Sequence, residues 1–590
     1  MSTKSGELHL PPQTIRGDYY IFKLETQTNI DSLIDVLNQD STIRLAQPVF
    51  INEAGGEEAF TDRIVIKKAP WLTQEIYDSL LGYYNLLDVG GSRNRSDVRY
   101  VAVTPDAQAT VLETANRLYG EDDILFSHPI FYGREYIKFE HPSDPLYQYQ
   151  WYAYNPYVFE DEWGEEFPGK DIEAYKAWDI TKGNPEITIA VLDDGITNHP
   201  DFPIDGLIDT LDLAGANRDI PSIDSNCNYG TCDSCGHGFA VSGIIISDHN
   251  QFGIAGIVPG CKLIFIKIVD DANRFLKEDD LADALLEAGR MGANIISNSW
   301  GNPFATYTDN IGDALNRLTN PNIEGLSCAI FFAAGNEGFN RVAWPARAPQ
   351  VLAVGATDSI DIRWEYSEFD STIDVMAPSG NVRHPAEGWP NAYLAGSIMT
   401  TDRPGDSGYT PFLYQTPYLP FCYSCGGEDL IFADSIGYDY TCNFGGTSAA
   451  CPQVAGIAAM VMSRRPDLAD SNYLIYDIIK YSAEDQVGPS YGIEADLPGF
   501  DQYYGWGRVN ALRALLAVCR GDANNSGQID MLDVTFIINY FYKGGPAPEP
   551  DIRLIDATCD GALNILDVLY IIYYLYDNGP APQICFEYGD

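Results

Sequence analysis

Five near-continuous apolar runs recur between residues 144 and 518: Ile187–Leu192, Leu263–Ile268, Ile295–Ser299, Ile330–Ala334 and Val351–Val354. Runs this short and this apolar suit strands buried on both faces. Segments between them, such as Asp279–Met291, place apolar residues at the three-to-four spacing of a helix. Buried strands alternating with helices predict an α/β fold, a doubly wound parallel sheet with helices on both sides. No run approaches the ~18 apolar residues of a membrane-spanning helix.

The chain extends beyond this section at both ends. Residues 17–133 alternate short strand and helix patterns. Strands are expected at Asp18–Leu24 and Ile43–Ile51 around a helix near Asp31–Leu37. A second set runs Arg63–Lys67, Leu72–Tyr84, Val98–Val103, Ala107–Leu118 and Ile124–Phe131, and residues 62–133 read as a two-layer α+β unit, βαββαβ. The polar stretch Gly133–Asp144 is a linker or processing site. Residues 519–590 hold an internal repeat, GDANNSGQIDMLDVTFIINYFYKGGPAP followed by DATCDGALNILDVLYIIYYLYDNGPAP, which marks a separate small module. The expected domains are 1–140, 141–518 and 519–590.

Composition narrows the partners. With 84 Asp and Glu against 36 Lys and Arg, the net charge is −48 over 590 residues, which disfavours phosphate backbones and excludes nucleic acid as a natural partner. Clustered carboxylates leave calcium open. The 12 cysteines include close sets, Cys227, Cys232 and Cys235, then Cys422 and Cys425, which suit disulfides of an oxidising compartment, with a zinc knuckle as the alternative. Cys519 and Cys585 bracket the C-terminal module and are candidates to staple its ends. The segment MSTKSGELHLPPQTIRG lacks the apolar core of a signal peptide. An extracellular protein then implies a leader already removed or a misplaced start, and an intracellular one needs neither.

Four motifs carry the chemistry. ITIAVLDDGI puts Asp193 at the carboxyl end of a strand, where open α/β sheets place functional groups. GHGFAVSGII opens a small-residue helix with His237, FFAAGNEG ends a strand at Asn336, and FGGTSAACPQVAGIAAM places glycines before Ser448 and an apolar helix after it. Singly, each reads as well as a turn or a helix cap. Jointly, they supply a serine hydroxyl, a base to take its proton, a carboxylate to hold that base, and an amide donor for an oxyanion.

These motifs in this order resemble the subtilisin-like serine proteases, with DDG and GTSAACP leaning toward the kexin-like side. The resemblance covers residues 144–518. It implies a catalytic set of Asp193, His237 and Ser448, with Asn336 at the oxyanion. It also implies a cleft lined by SNSWG, hence Ser299, Trp300 and Gly301, together with Ala333 and Gly335. YGWGRVNALRAL at Tyr504–Leu515 resembles the segment that closes the family's catalytic domain, and SDPLYQYQWY at Ser143–Tyr152 the start of its mature form. By the same resemblance, residues 1–140 are an inhibitory propeptide. Phe239 and Ala240 depart from the family's residues in the histidine motif. The turn between Asp193 and His199-Pro200-Asp201 is one residue short, and 358–440 holds insert-like sequence. Ala343 in VAWPA is expected near the pocket floor, leaving room for a large apolar side chain, with no acid matched to a basic one.

In the C-terminal repeat, Asp522, Asn524, Ser526, Gln528, Asp530 and Asp533 fall at positions 1, 3, 5, 7, 9 and 12 of a loop. Asp556, Thr558, Asp560, Ala562, Asn564 and Asp567 do the same in the second copy, and each copy has glycine at position 6. Alternating oxygens around a glycine turn suit calcium, position 7 contributing its carbonyl. The paired loop–helix copies resemble a type I dockerin, which implies a cohesin or cell-surface scaffold as partner. The expectation is therefore a secreted serine endopeptidase acting on proteins or peptides, made as a zymogen and tethered through 519–590, with Ca2+ as cofactor and no membrane span. The alternatives are a catalytically silent calcium-binding surface protein that keeps the fold, and a different serine hydrolase with an acidic base.

Overall fold

The computed structural model describes residues 13–16, 19–21, 50–51, 57–91, 97–104, 111–121, 123–133, 141–156, 158–160, 166–196, 198–203, 207–213, 236–270, 274–380, 397–404, 439–485, 487, 496–543, 545–577 and 579–585. The chain divides into two compact units, Met1–Lys138 and Phe139–Asp590.

The larger unit is built on a seven-stranded sheet ordered Leu207–Asp212, Lys262–Lys267, Thr188–Asp193, Ile295–Asn298, Ala329–Ala333, Leu352–Thr357, Val375–Pro378, every pair parallel. Both faces of these strands are covered. Ile189 and Val191 join one apolar cluster and Ala190 and Leu192 the other; Leu263 and Phe265 oppose Ile264 and Ile266 in the same way. The first cluster includes the helices His237–Ile246 and Thr447–Arg464, and the second includes Glu278–Arg290 and Asp309–Thr319. The expected doubly wound α/β architecture is the observed one. Each fully buried Ile or Phe in these layers contributes about 1.5–3 kcal/mol.

Strand order positions the site. From Thr188–Asp193 the chain goes to one side of the sheet for two strands, then crosses to the other side at Ile295–Asn298. Connections therefore diverge at the carboxyl end of Thr188–Asp193 and leave a crevice there.

The smaller unit holds the βαββαβ order over Glu57–Lys68, Gln74–Tyr84, Leu86–Gly91, Val98–Val103, Val111–Tyr119 and Ile124–Gly133. Its strands pair antiparallel, with Glu57–Lys68 between Ile124–Gly133 and Val98–Val103, and Leu86–Gly91 beyond. Ile64, Ile66, Tyr77, Val101 and Leu118 form its core. The strand Leu86–Gly91 escapes a reading of the sequence, because LLDVGG reads as a turn. A register shift between Asp88 and Gly90, with Gly90 at φ 135°, lets it pair regardless. Further upstream, Tyr19–Ile21 pairs with Gln13–Arg16, and the helix expected near Asp31–Leu37 lies outside the described residues.

After the helix Ala511–Val518 each repeat copy runs into one helix, Met531–Lys543 or Ile565–Tyr576, and the two share a small core of Val534, Ile537, Val568 and Ile571. Cys559 bonds to Cys585, while Cys519 is a buried free thiol, so the expected Cys519–Cys585 staple is replaced by a link from the second copy to the segment just after it. The sets at Cys227–Cys235 and Cys422–Cys425, and most of the 358–440 insert, lie outside the described residues. Among the described residues no helix is long and apolar enough to cross a membrane.

Candidate active site

Asp193 ends its strand buried, with its carboxylate 2.8 and 3.0 Å from His237 Nδ1. His237 opens the helix His237–Ile246, and the next acid holds that helix in place. Asp194 accepts the His237 N–H (3.2 Å) and the Gly238 N–H (2.7 Å), satisfying amides that have no intrahelical partner. A side chain at Gly238 would place Cβ 2.6 Å from Gly195 O, so only glycine admits this approach. Burial lowers the affinity of the imidazole for a proton, but the Asp193 charge and hydrogen bond outweigh it, and the pKa rises to about 9. Burial, then the Asp193 charge, raises the Asp194 carboxyl.

Ser448 is the second residue of the helix Thr447–Arg464, whose first sixteen residues are buried. Pro452 lies one turn on. It has no N–H to donate to the Ser448 carbonyl, and Ser299 Oγ donates to that oxygen instead, at 3.0 Å. Ser448 Oγ in turn donates to Ser299 O at 3.2 Å, so two hydrogen bonds tie the helix start to the end of Ile295–Asn298. Asn336 follows Ala329–Ala333. Its Oδ1 accepts the Thr447 N–H (2.8 Å) and the Thr447 hydroxyl (2.9 Å), and Gly335 N–H donates to the same hydroxyl oxygen (3.2 Å). With Oδ1 so engaged, the amide group is oriented with Nδ2 as its donor end.

One cleft of about 350 Å³ brings these groups together. It is lined by Asp193, Asp194, His237, Ser448 and Asn336, and by all five expected cleft residues, Ser299, Trp300, Gly301, Ala333 and Gly335. Among the lining groups with no role in the sequence reading are Asp194, Thr447, Glu337 and the aromatic wall at Phe275. Asp194 and Thr447 each sit directly beside a motif residue, the only signal the sequence offered. The departures at Phe239 and Ala240 turn inward. Phe239 packs with His199 and Phe202, and Thr401 and Thr400 hydroxyls cap the carbonyls of Phe239 and Ala240 at 2.7 Å each.

Two places present oxygens suited to a hard cation. In the C-terminal loops the end carboxylates gather the backbone inward. Asp522 accepts the Ser526 and Gly527 N–H groups, and Asp533 those of Asn524 and Asp530. Asp556 and Asp567 repeat this with Asp560, Gly561, Thr558 and Asn564. Gly527 and Gly561 have φ of 91° and 73°, the turn the loop needs at position 6. No group of three or more His, Cys, Asp or Glu among the described residues is close enough to form a metal cluster by itself, so carbonyl, amide and hydroxyl oxygens must complete either shell. The second place is in the catalytic unit. Asp144 Oδ2 is buried without a hydrogen-bond partner, and the buried Asp201 carboxyl pairs with the Tyr440 hydroxyl. Asp201 and Asp144 also accept the Ile254 and Asn250 N–H groups of one loop. A Cβ at Gly253 would fall 2.4 Å from Asp201 Oδ2. Burial, together with the Asp144 charge, pushes Asp201 up to about 8.

A model of the subtilase family matches residues 184–507, more than half of the chain, and one of the dockerin type I domain matches residues 520–576. A calcium-dependent protease of Nostoc sp. is 29% identical over 509 residues, spanning 82% of this chain and 68% of its own. Subtilisin Savinase of Lederbergia lenta is 31% identical over 215 residues, 36% of this chain and 72% of its own. Among solved structures, a serine protease of Aeromonas sobria is 23% identical with a TM-score of 0.48, covering 64% of this chain and 67% of that one.

Proposed function

We propose that this chain, which belongs to the subtilase family and is a serine-type endopeptidase with a C-terminal dockerin, cleaves peptide bonds through Asp193, His237 and Ser448. The observation that carries this is the shared cleft, in which the Asp193–His237 pair, Ser448 and Asn336 meet. Asp193 holds Nδ1, which leaves Nε2 as the base. Ser448 Oγ attacks the peptide carbonyl carbon as its proton passes to His237 Nε2. The oxyanion is stabilised by Asn336 Nδ2 and by the Ser448 N–H at the helix start. The intermediate collapses when the leaving amine takes the proton from His237, and water then hydrolyses the acyl ester by the same route.

Three further assignments belong to this reading. Residues 1–140 serve as propeptide, consistent with the βαββαβ order. Calcium is held by the two C-terminal loops and by Asp144 with Asp201, two buried carboxylates whose like charges a shared cation would offset. Calcium there supplies charge neutralisation and ties loops together, and takes no part in bond cleavage. Residues 519–590 dock onto a cohesin or a cell-surface scaffold. A disulfide at Cys559–Cys585 suits secretion.

The test is casein hydrolysis by the calcium-loaded full chain after maturation. Wild type cleaves, and Asp193→Asn, His237→Ala and Ser448→Ala each lose about 10⁴-fold or more in kcat. Cleavage surviving in Ser448→Ala would falsify the assignment of the nucleophile.

A further inference from the structure

The two loops of the C-terminal repeat share a feature that neither docking nor peptide cleavage uses. In each, an arginine rooted outside the loop reaches the carboxylate at position 1. Arg464, in the last turn of the Ser448 helix, pairs with Asp522 Oδ2. Arg520, just past the helix Ala511–Val518, lies 3.7 Å from Asp556 Oδ2. All four side chains are buried, none more than 12% exposed. The oxygen engaged is the same in both copies. Oδ2 also accepts the glycine N–H of position 6, Gly527 at 2.8 Å and Gly561 at 3.2 Å. Oδ1 accepts the N–H of position 5, Ser526 at 2.9 Å and Asp560 at 3.2 Å. Arg464 sits against the glycine turn itself, since a Cβ at Gly527 would lie 3.1 Å from its Nη1. Position 4 is fastened to the catalytic fold as well. Asn525 donates to Asp179 O at 2.9 Å, and Cys559 is bonded to Cys585, whose N–H donates to Ala517 O at 3.0 Å.

Each loop carries three carboxylates, Asp522, Asp530 and Asp533 in the first and Asp556, Asp560 and Asp567 in the second. Like charges on so short a loop repel, and a cation among them relieves the repulsion. In each copy an arginine already pairs with one of the three, so a divalent ion arriving there meets less negative charge. We propose that Arg464 and Arg520 are resident counter-ions that compete with calcium for the position-1 carboxylates. They keep the repeat seated on the catalytic fold at low calcium, and they weaken calcium binding at both loops. This rests on the assignment of calcium to the loops and adds how their filling is regulated. The two oxygens of each carboxylate let both cations touch it at once, but a guanidinium and Ca2+ repel at that range. Each therefore lowers the hold of the other, and the coupling is reciprocal. Calcium in the first loop slackens the Arg464–Asp522 pair, and with it one fastening of the module to the helix that begins at Ser448. An ion pair that only fastened the module in place would not set the affinity for the metal.

The experiment is calorimetric calcium titration of the chelator-treated full-length Ser448→Ala chain, which cannot digest itself. Arg464→Gln keeps a hydrogen-bonding side chain and removes the charge. It should bind calcium about tenfold more tightly at one site, and Arg520→Gln should do the same at a second. Arg464→Lys keeps the charge and should keep the parent's affinity. A second measurement is thermal unfolding. Calcium should raise the midpoint more in each glutamine variant than in the parent, and the parent should still unfold in one transition in EDTA. Unchanged or weaker calcium binding in either glutamine variant overturns the proposal, as does a parent whose module unfolds separately in EDTA. Asp533→Asn separates this from the metal assignment. Calcium uptake that Asp533→Asn lowers but Arg464→Gln leaves unaltered overturns this inference alone. Uptake that Asp533→Asn does not change overturns the assignment of calcium to the first loop beneath it.

Discussion

Asp193 and Asp194 are neighbours in sequence with different work. The first holds the imidazole and the second holds the helix that carries it. Both are negative charges beside His237, and the imidazole needs to be neutral to act as base. Its raised pKa therefore places the acid limb of kcat/KM above the usual histidine range, with activity rising as pH rises toward about 9. Asp194→Asn removes one of the charges that raise it, so the limb should move to lower pH. A pH–rate profile checks both, and a limb at or below 6.5 in wild type would contradict this electrostatic picture. Thr447 gives a second prediction. Its hydroxyl orients Asn336 from across the cleft, so Thr447→Val should lower kcat about tenfold with KM little changed, a loss of positioning rather than of binding. Asp193, His237, Asn336 and Ser448 were legible because each sits in a local motif. Asp194 and Thr447 were not, since their partners are 43 to 44 and 111 to 112 residues away.

At the scale of elements, the sheet was readable because its strands are buried on both faces and so stay apolar on both sides along most of their length. Leu86–Gly91 was not, since an edge strand with a bulge carries turn residues. The closing segment shows what holds elements together. Arg508, with a side chain 3% exposed, donates to Asp361 at 2.7 Å and to Glu484 at 2.9 Å. Gly507 and Val509 extend backbone pairing to Met376. Arg508→Ala takes the cation from the buried Asp361, leaves the partly exposed Glu484 with only its Asn510 hydrogen bond, and should cost about 3–5 kcal/mol in denaturant unfolding. A change below about 1 kcal/mol would mean the cluster is solvated. The loop joining Asp144, Asp201 and Gly253 makes a metal-removal prediction: Asp201→Asn should retain one fewer calcium per chain by elemental analysis and unfold at lower temperature.

At the scale of the whole chain, the C-terminal module packs on the catalytic fold rather than trailing from it. Leu554 joins the core that holds the Ser448 helix, and Asn525 Nδ2 donates to Asp179 O at 2.9 Å. Arg464, in the last turn of that helix, pairs with Asp522, the first residue of the first repeat loop. The repeat announced the module in sequence, but nothing local announced this contact, because it joins residues 58 apart through side chains ordinary on their own. Arg464→Ala should loosen the module and split one thermal unfolding transition into two; a single unchanged transition would show that the apolar contacts suffice. The central claim remains that these units carry an activated serine at 448. A fluorophosphonate probe followed by peptide mapping of the mature full chain tests it most directly. The account predicts one adduct, on Ser448, abolished in His237→Ala. An adduct on another serine, or none on a folded wild-type chain, would contradict it.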